Sequence, residues 1–285
     1  MTFSIVAADP ASGQLGVAVQ SKFLAVGSIV PWARAEVGAV ATQAFCDVMF
    51  GPRGLAALER GLDPEAVLEE LLAGDPEREK RQVGIVAADG RAASFTGAEC
   101  FDHASSWTRP GYAAQGNILA GPAVVEALAS TFESRANLPL PERLLAALEA
   151  AQAAGGDRRG QESAALVVVK PGGGYGGNHD RWIDLRADDH PRPIEELARL
   201  LELHRLYFDR PAEQDLIAID DTVRTELTRL IEHSGHAPQG TPFGEALFAY
   251  VGWENLEERF VDETRIDPIV LRYIREHEGH EGGTR

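Results

Sequence analysis

FSIVAADPASGQLGVAV, residues 3–19, is the stretch on which the fold of the first part of the chain turns. Two short β-rich runs, Phe3 to Ala8 and Gln14 to Val19, flank Asp9-Pro10-Ala11-Ser12-Gly13, which carries the Pro and Gly chemistry of a turn. The chain therefore opens with a β-hairpin. Working outward, Val37 to Gln43 reads as a third strand after a Pro31-Trp32 bend. Gly51-Pro52-Arg53-Gly54 then introduces a helical pattern with Leu55, Leu58 and Leu62 on one face. Asp63 is the N-cap of a second helix, with Pro64 at its first position and Gly74 after its last apolar residue, Leu72. Val83 to Ala87 and Arg91 to Thr96 form another hairpin around Asp89-Gly90, the strongest short turn signal in the chain. Tyr112 to Asn117 is a strand, Gly121 to Phe132 and Pro141 to Ala154 are helices, and Ser163 to Lys170 and Trp182 to Arg186 are strands. The Gly-rich connection Pro171 to Gly177 lacks a GK[ST] ending and precedes a strand, so it reads as a hairpin loop and not a phosphate cradle.

Strands that come in hairpins between helix pairs argue against a Rossmann pattern and for antiparallel sheets covered by helices. Periodicity alone gives an α+β protein of three or four layers. From Pro191 the character changes: Pro191, Pro193 and Pro211 punctuate consecutive amphipathic helices at Ile194 to Phe208, Asp220 to His233, Pro242 to Tyr250 and Asp267 to His277. The expected organisation is a large domain over residues 1–206 followed by a small, mainly helical domain over 211–285, its polar tail Glu278 to Arg285 frayed.

A formal net charge of -17, from 44 acidic against 27 basic side chains, disfavours a phosphate backbone or an anionic membrane as the main partner. The expected partner is a small-molecule or peptide-like substrate, with no nucleic acid and no membrane. Cys46 and Cys100 stand in apolar stretches without metal-ligand spacing and read as reduced thiols. With no export signal and no apolar run of membrane length, the expected location is the cytoplasm. No cofactor and no metal is expected: His179, Asp180, Asp184, Asp188, Asp189 and His190 match no ligand spacing and read as a solvated hairpin and turn.

Thr2 directly follows the initiator methionine, which cells remove readily ahead of a small side chain. Its α-amine, titrating near ~8, is then partly neutral at physiological pH and available to take the hydroxyl proton. Ser4 shares a strand face with Thr2, because alternate residues of a strand point the same way.

The segments TFSIVAADP (2–10), GQLGVAVQSKFLAVGSIVPWARAEVGAVATQA (13–44), GYAAQGNILAGP (111–122), AGGDRRGQESAALVVV (154–169) and DLRADDHP (184–191) resemble the domain of unknown function 1028 family, which belongs with the N-terminal-nucleophile hydrolases. Their order is also similar to that of a proteasome β-subunit. The resemblance covers Met1 to about Leu206 and implies an αββα sandwich with Thr2 as nucleophile and base. It implies Arg34 as a cation lowering the nucleophile's pKa, Thr42 and Gln43 as donors of an oxyanion hole, and Gln115 and Asn117 at the end of a strand of the second sheet. It places Asp157 and Ser163 beside the terminal amine. Gln20, Ser21 and Lys22 stand where such a site keeps an acid, and no acid is present there. From about Pro211 to His277, with FGEALFAYVGWENLEERF (243–260), the chain resembles a peptidoglycan-binding module. The implied function is an amidohydrolase cleaving a small amide or peptide-type bond. The alternative is a non-catalytic binding protein for a small ligand or muropeptide on the same scaffold. A homo-oligomer is a further expectation.

Overall fold

The structure, a computed structural model, describes residues 2–278. In chain order its first part contains β1 (Thr2–Asp9), β2 (Gln14–Ser21), β3 (Pro31–Arg34), β4 (Gly38–Ala44), α1 (Phe50–Glu59), α2 (Pro64–Leu72), β5 (Arg81–Ala87), β6 (Ala92–Thr96), β7 (Ser105–Arg109), β8 (Tyr112–Asn117), α3 (Ala123–Ser134), α4 (Leu140–Ala153), β9 (Ser163–Val169) and β10 (Arg181–Ala187). The opening hairpin turns on Asp9, whose carboxylate accepts from the Ala11 N–H at 3.2 Å and the Ser12 hydroxyl at 2.6 Å. Gly13 supplies the left-handed backbone, φ 69°, that returns the chain to β2.

Both faces of β1 and β2 are buried, which is why their sequences are runs of small and branched residues and not an alternation with polar ones. The six-stranded sheet runs β10-β9-β2-β1-β8-β7 and the four-stranded sheet β3-β4-β5-β6, all neighbours antiparallel. β1 packs across the interior on β4, and β8 on β5, around Val6, Val17, Val19, Ala39, Ala41 and Val86. On the outer face of the smaller sheet, Leu55, Val67 and Leu71 of α1 and α2 pack on Val40 and Ile85. α4 covers β1 and β2, and α3 covers β8. The layers are thus helix pair, sheet, sheet, helix pair. Phe3 and Ile5 are fully buried, and each such side chain contributes about 1.5–3 kcal/mol of transfer free energy.

Two strands of this first part escape the sequence reading. Pro31 does not make a bend but begins β3, an edge strand whose first residue needs no N–H for the ladder. β7, Ser-Ser-Trp-Thr-Arg, is the opposite edge of the larger sheet and is largely half-exposed, so it has no apolar alternation to announce it.

Contacts divide the chain into two units, Met1–Leu200 and Leu201–Arg285, the change falling inside α5 (Pro193–Phe208). The second unit contains the short pair β11 (Ile217–Ala218) and β12 (Arg265–Ile266) with α6 (Asp221–Ser234), α7 (Phe243–Trp253) and α8 (Pro268–Glu278). Asp220 caps α6 by accepting the Val223 N–H at 2.8 Å, and Gly235, φ 74°, ends it. Leu227, Leu230, Leu247, Tyr250, Val270 and Ile274 form its core. Beside that core Arg259 and Asp267 make a buried ion pair at 2.6 Å. The guanidinium also donates to the carbonyls of Arg205 and Leu206, which disperses a charge that would be expensive to bury with one partner. Of the tail expected to fray, Glu278 ends α8 and the residues after it lie outside the described ones. Among the described residues no helix is long and apolar enough to cross a membrane.

Candidate functional site

Strand alternation builds the site. On β1, Thr2, Ser4, Val6 and Ala8 share the face turned to the other sheet, and the apolar pair belongs to the core while the polar pair lies at one end. Every strand that meets this end changes from apolar to polar in the same way. Val17 and Val19 lead to Ser21, Ala113 to Gln115 and Asn117, Ala39 and Ala41 to Gln43, and Val86 back through Gly84 to Gln82. All these polar side chains are buried. An unpaired one would cost about 1–3 kcal/mol, so they bond to one another.

Thr2 Oγ1 lies 3.1 Å from Ser21 Oγ, its cross-strand neighbour. Ser4 Oγ donates to Gln43 Oε1 and accepts from Gln115 Nε2, both at 2.6 Å. Gln43 Nε2 donates to Gln82 Oε1 at 2.7 Å and reaches the Thr2 carbonyl at 3.3 Å. Asn117 Nδ2 donates to Gln82 Oε1 at 2.9 Å. Gln82 Nε2 in turn donates to Thr96 Oγ1 and to the Gly116 carbonyl, each at 2.9 Å. Gln82 is the centre of this network and is absent from the residues expected from sequence. The available signal was a single amide two positions before Gly84 in the otherwise apolar run QVGIVA.

Gly84 is there because Gln115 crosses it. A Cβ at residue 84 would lie 2.1 Å from Gln115 Oε1, so Gly84→Ala must push Gln115 off Ser4. The expected loss of stability is about 1–3 kcal/mol, read from the denaturant midpoint.

The other expected residues lie elsewhere or act differently. Thr42 shares the face of Val40 toward α1 and α2, opposite to Gln43, with its hydroxyl donating to the Asp47 carbonyl at 3.0 Å and its N–H to Val30 O. It contributes no donor beside Thr2, since a one-residue step reverses the face of a strand. Arg34 is also not brought to Thr2: on the edge strand β3, it is exposed and ion-paired with Glu59 at 2.7 Å. Ser163 pairs with Ser21 across β2 and β9, but its hydroxyl accepts from the Val26 N–H and donates to the Phe23 carbonyl. Asp157 accepts the Lys22 N–H at 3.0 Å and the Arg159 N–H at 2.8 Å. Together these two shape the loop after β2. The Lys22 ammonium pairs with Glu162 at 3.0 Å, and Gln20 turns with Phe3 to the other face of the sheet. Farther away, His179 Nδ1 accepts the Arg181 N–H and Asp180 accepts the Gly172 N–H, so these side chains organise their own turn. Among the described residues no group of three His, Cys, Asp or Glu side chains is placed to hold a metal.

A cavity of about 420 Å³ adjoins Asn117, walled by Ala44, Phe45, Lys80, Glu99, Cys100, Phe101 and Ile118. The residues directly after Gln43 and Asn117 both have left-handed backbone: Ala44 at φ 68° and Ile118 at φ 50°. For a β-branched residue this conformation is a true outlier, and strain of about 1–3 kcal/mol per residue is characteristic of functional sites. The Leu119–Asp157 bridge and the Ala120 N–H to Gly156 carbonyl bond hold the segment that follows. Burial raises the pKa of both Cys46 and Cys100, which keeps the thiols protonated and weak as nucleophiles.

Phe45 is held from behind by Arg81, whose guanidinium donates to the Phe45 carbonyl and lies 5.4 Å from its ring. Arg81 is itself clamped by Asp75, Nε to Oδ2 at 2.8 Å and Nη2 to Oδ1 at 3.2 Å. Hydrogen bonding from Arg81 holds the Asp75 carboxyl below its ordinary range. A depressed carboxyl contributes stability above its unfolded pKa, about 3.9, and loses it as pH falls through the folded value. Below about pH 4 the melting temperature of the wild type should therefore fall more steeply than that of Asp75→Asn.

The model of the "Family of unknown function (DUF1028)" matches residues 2–197, and that of the "Putative peptidoglycan binding domain" matches residues 207–274. A crystal structure of a Silicibacter pomeroyi protein described under DUF1028 is similar at 34% identity and a TM-score of 0.65, over 72% of this chain and 86% of that one. No curated protein matches the sequence.

Proposed function

Because the chain belongs to the DUF1028 family, we propose that its first unit is an N-terminal-nucleophile hydrolase that cleaves a small amide or peptide-type bond with Thr2 once Met1 is removed. The observation that carries this reading is the position of Thr2. It is the first residue of a central strand, at the one end where buried polar side chains gather, close to a cavity flanked by two strained residues. The layer order of helix pair, two sheets and helix pair supports the αββα sandwich of such hydrolases. In this reading the α-amine of Thr2 takes the hydroxyl proton, and the amides of Gln43 and Asn117 fix the strand ends between which the scissile carbonyl sits. Asp157 and Ser163 act as positioning residues through the loop after β2.

A second reading, a binding protein on the same scaffold, is favoured by the lack of an acid at Gln20, Ser21 and Lys22 and by the engagement of the expected cation elsewhere. Arg34 is engaged by Glu59, Lys22 by Glu162, and a serine stands where an acid would be expected. In either reading the second unit takes a muropeptide-type ligand. The support is its family match and Trp253, exposed and stacked on His236 at 4.9 Å, a surface of the kind that packs on sugar rings. The deciding experiment is intact-mass measurement combined with a panel of small amides. Turnover by protein lacking Met1 supports the hydrolase, and a retained methionine with no turnover supports the binder.

A further inference from the structure

We infer that the cavity beside Asn117 accepts the apolar acyl arm, aromatic or branched aliphatic, of the substrate amide. This rests on the proposed amide site. Five of the eight wall residues are apolar or carry a thiol: Ala44, Phe45, Cys100, Phe101 and Ile118. The two rings are large and open to solvent, Phe45 at 61% exposure and Phe101 at 72%, in a chain whose net charge of -17 leaves little reason to display them. Phe45 is moreover fixed in place, because Arg81 and its Asp75 clamp hold both its carbonyl and its ring.

The charged wall residues do not select a charged ligand. Lys80 and Glu99 are of opposite sign, and Lys80 is already paired with Glu77. Asn117 supplies the amide group of the wall, at the end nearest Thr2. Polar recognition is thus confined to the Thr2 end and apolar contact to the rest. A volume of about 420 Å³ is that of a small-molecule site and not of a polymer groove. Further large apolar side chains are exposed just after the strand ends that carry the site: Phe23 and Leu24 after Ser21, and Val48 and Met49 after β4. Such a concentration at one rim is what a ligand entrance requires.

The test measures equilibrium binding of phenylacetamide and acetamide to the Thr2→Ala protein by titration calorimetry. Phenylacetamide should bind about tenfold or more tighter. The preference should disappear in Phe45→Ser/Phe101→Ser, and fall in Phe101→Ser alone, which removes only an exposed ring and keeps the test valid if the double variant unfolds. Equal affinities, no saturable binding of phenylacetamide, or a preference untouched by Phe101→Ser overturns the inference. Turnover separates it from the reading it rests on. Binding preference without hydrolysis by the wild type sinks the hydrolase alone, and hydrolysis without acyl preference sinks the apolar pocket alone.

Discussion

In protein that has shed Met1, Thr2→Ala is expected to lower amide turnover by about 10⁴-fold or more, the loss seen when a covalent nucleophile is removed. The fold should be little affected. The hydroxyl lies within hydrogen-bonding distance of Ser21 Oγ, and such a neutral bond contributes about 0.5–1.5 kcal/mol net. Thr2→Ser keeps an oxygen at the same place and should retain activity. In the proposed mechanism the attacking hydroxyl needs the neutral form of the amine, so wild-type turnover should rise with pH through about 8. A form that keeps Met1 has an amide in place of that amine and should be as inactive as Thr2→Ala. Steady-state rates on the four proteins check the set, and equal rates for Thr2→Ala and wild type would remove Thr2 from the chemistry.

The second large effect is on stability. Gln82→Leu preserves approximate volume but takes away the acceptor of both Gln43 Nε2 and Asn117 Nδ2 and the donor to Thr96 and Gly116. Two amide groups are then left buried without their main partner, at about 1–3 kcal/mol each. The expected loss is about 3–5 kcal/mol, seen as a lower denaturant midpoint at unchanged slope. Because Gln43 also holds Ser4 and the Thr2 carbonyl, Gln82→Leu should impair turnover even at temperatures where it remains folded. A variant as stable and active as the wild type would show that the network bears no weight.

Much of the fold is legible in the chain because turn chemistry and apolar periodicity agree locally: Asp9 to Gly13, Asp63-Pro64 and Asp89-Gly90 each do what their residues dictate. The site is legible only where its residues end strands recognised from sequence. Ser4, Gln43 and Gln115 meet directly and Asn117 joins them through Gln82, whereas Thr42, given a role with Gln43 by the resemblance, lies on the other face. Arg34, given a role by the resemblance alone, lies on the short edge strand β3 and pairs with Glu59. Gln82 had no motif to mark it, since its importance lies in four partners drawn from three other strands. The strained backbones of Ala44 and Ile118 are dictated by what surrounds them, and neither residue type announces a left-handed conformation.

The position of β1 in the larger sheet also governs how the protein is made. β1 leaves the ribosome ahead of the other described strands, yet one of its two neighbours, β8, begins only at Tyr112, and β2 waits for β9, which begins at Ser163. Pairings so distant in sequence form slowly, because loop closure comes before the contacts that reward it. Until β8 emerges the nascent chain carries the apolar hairpin of residues 2–21 with both long edges open. Open edges of this kind pair readily with copies of themselves. Neighbouring chains on a polysome are therefore competitors for the β1 edge until β8 emerges and for the β2 edge until β9 emerges.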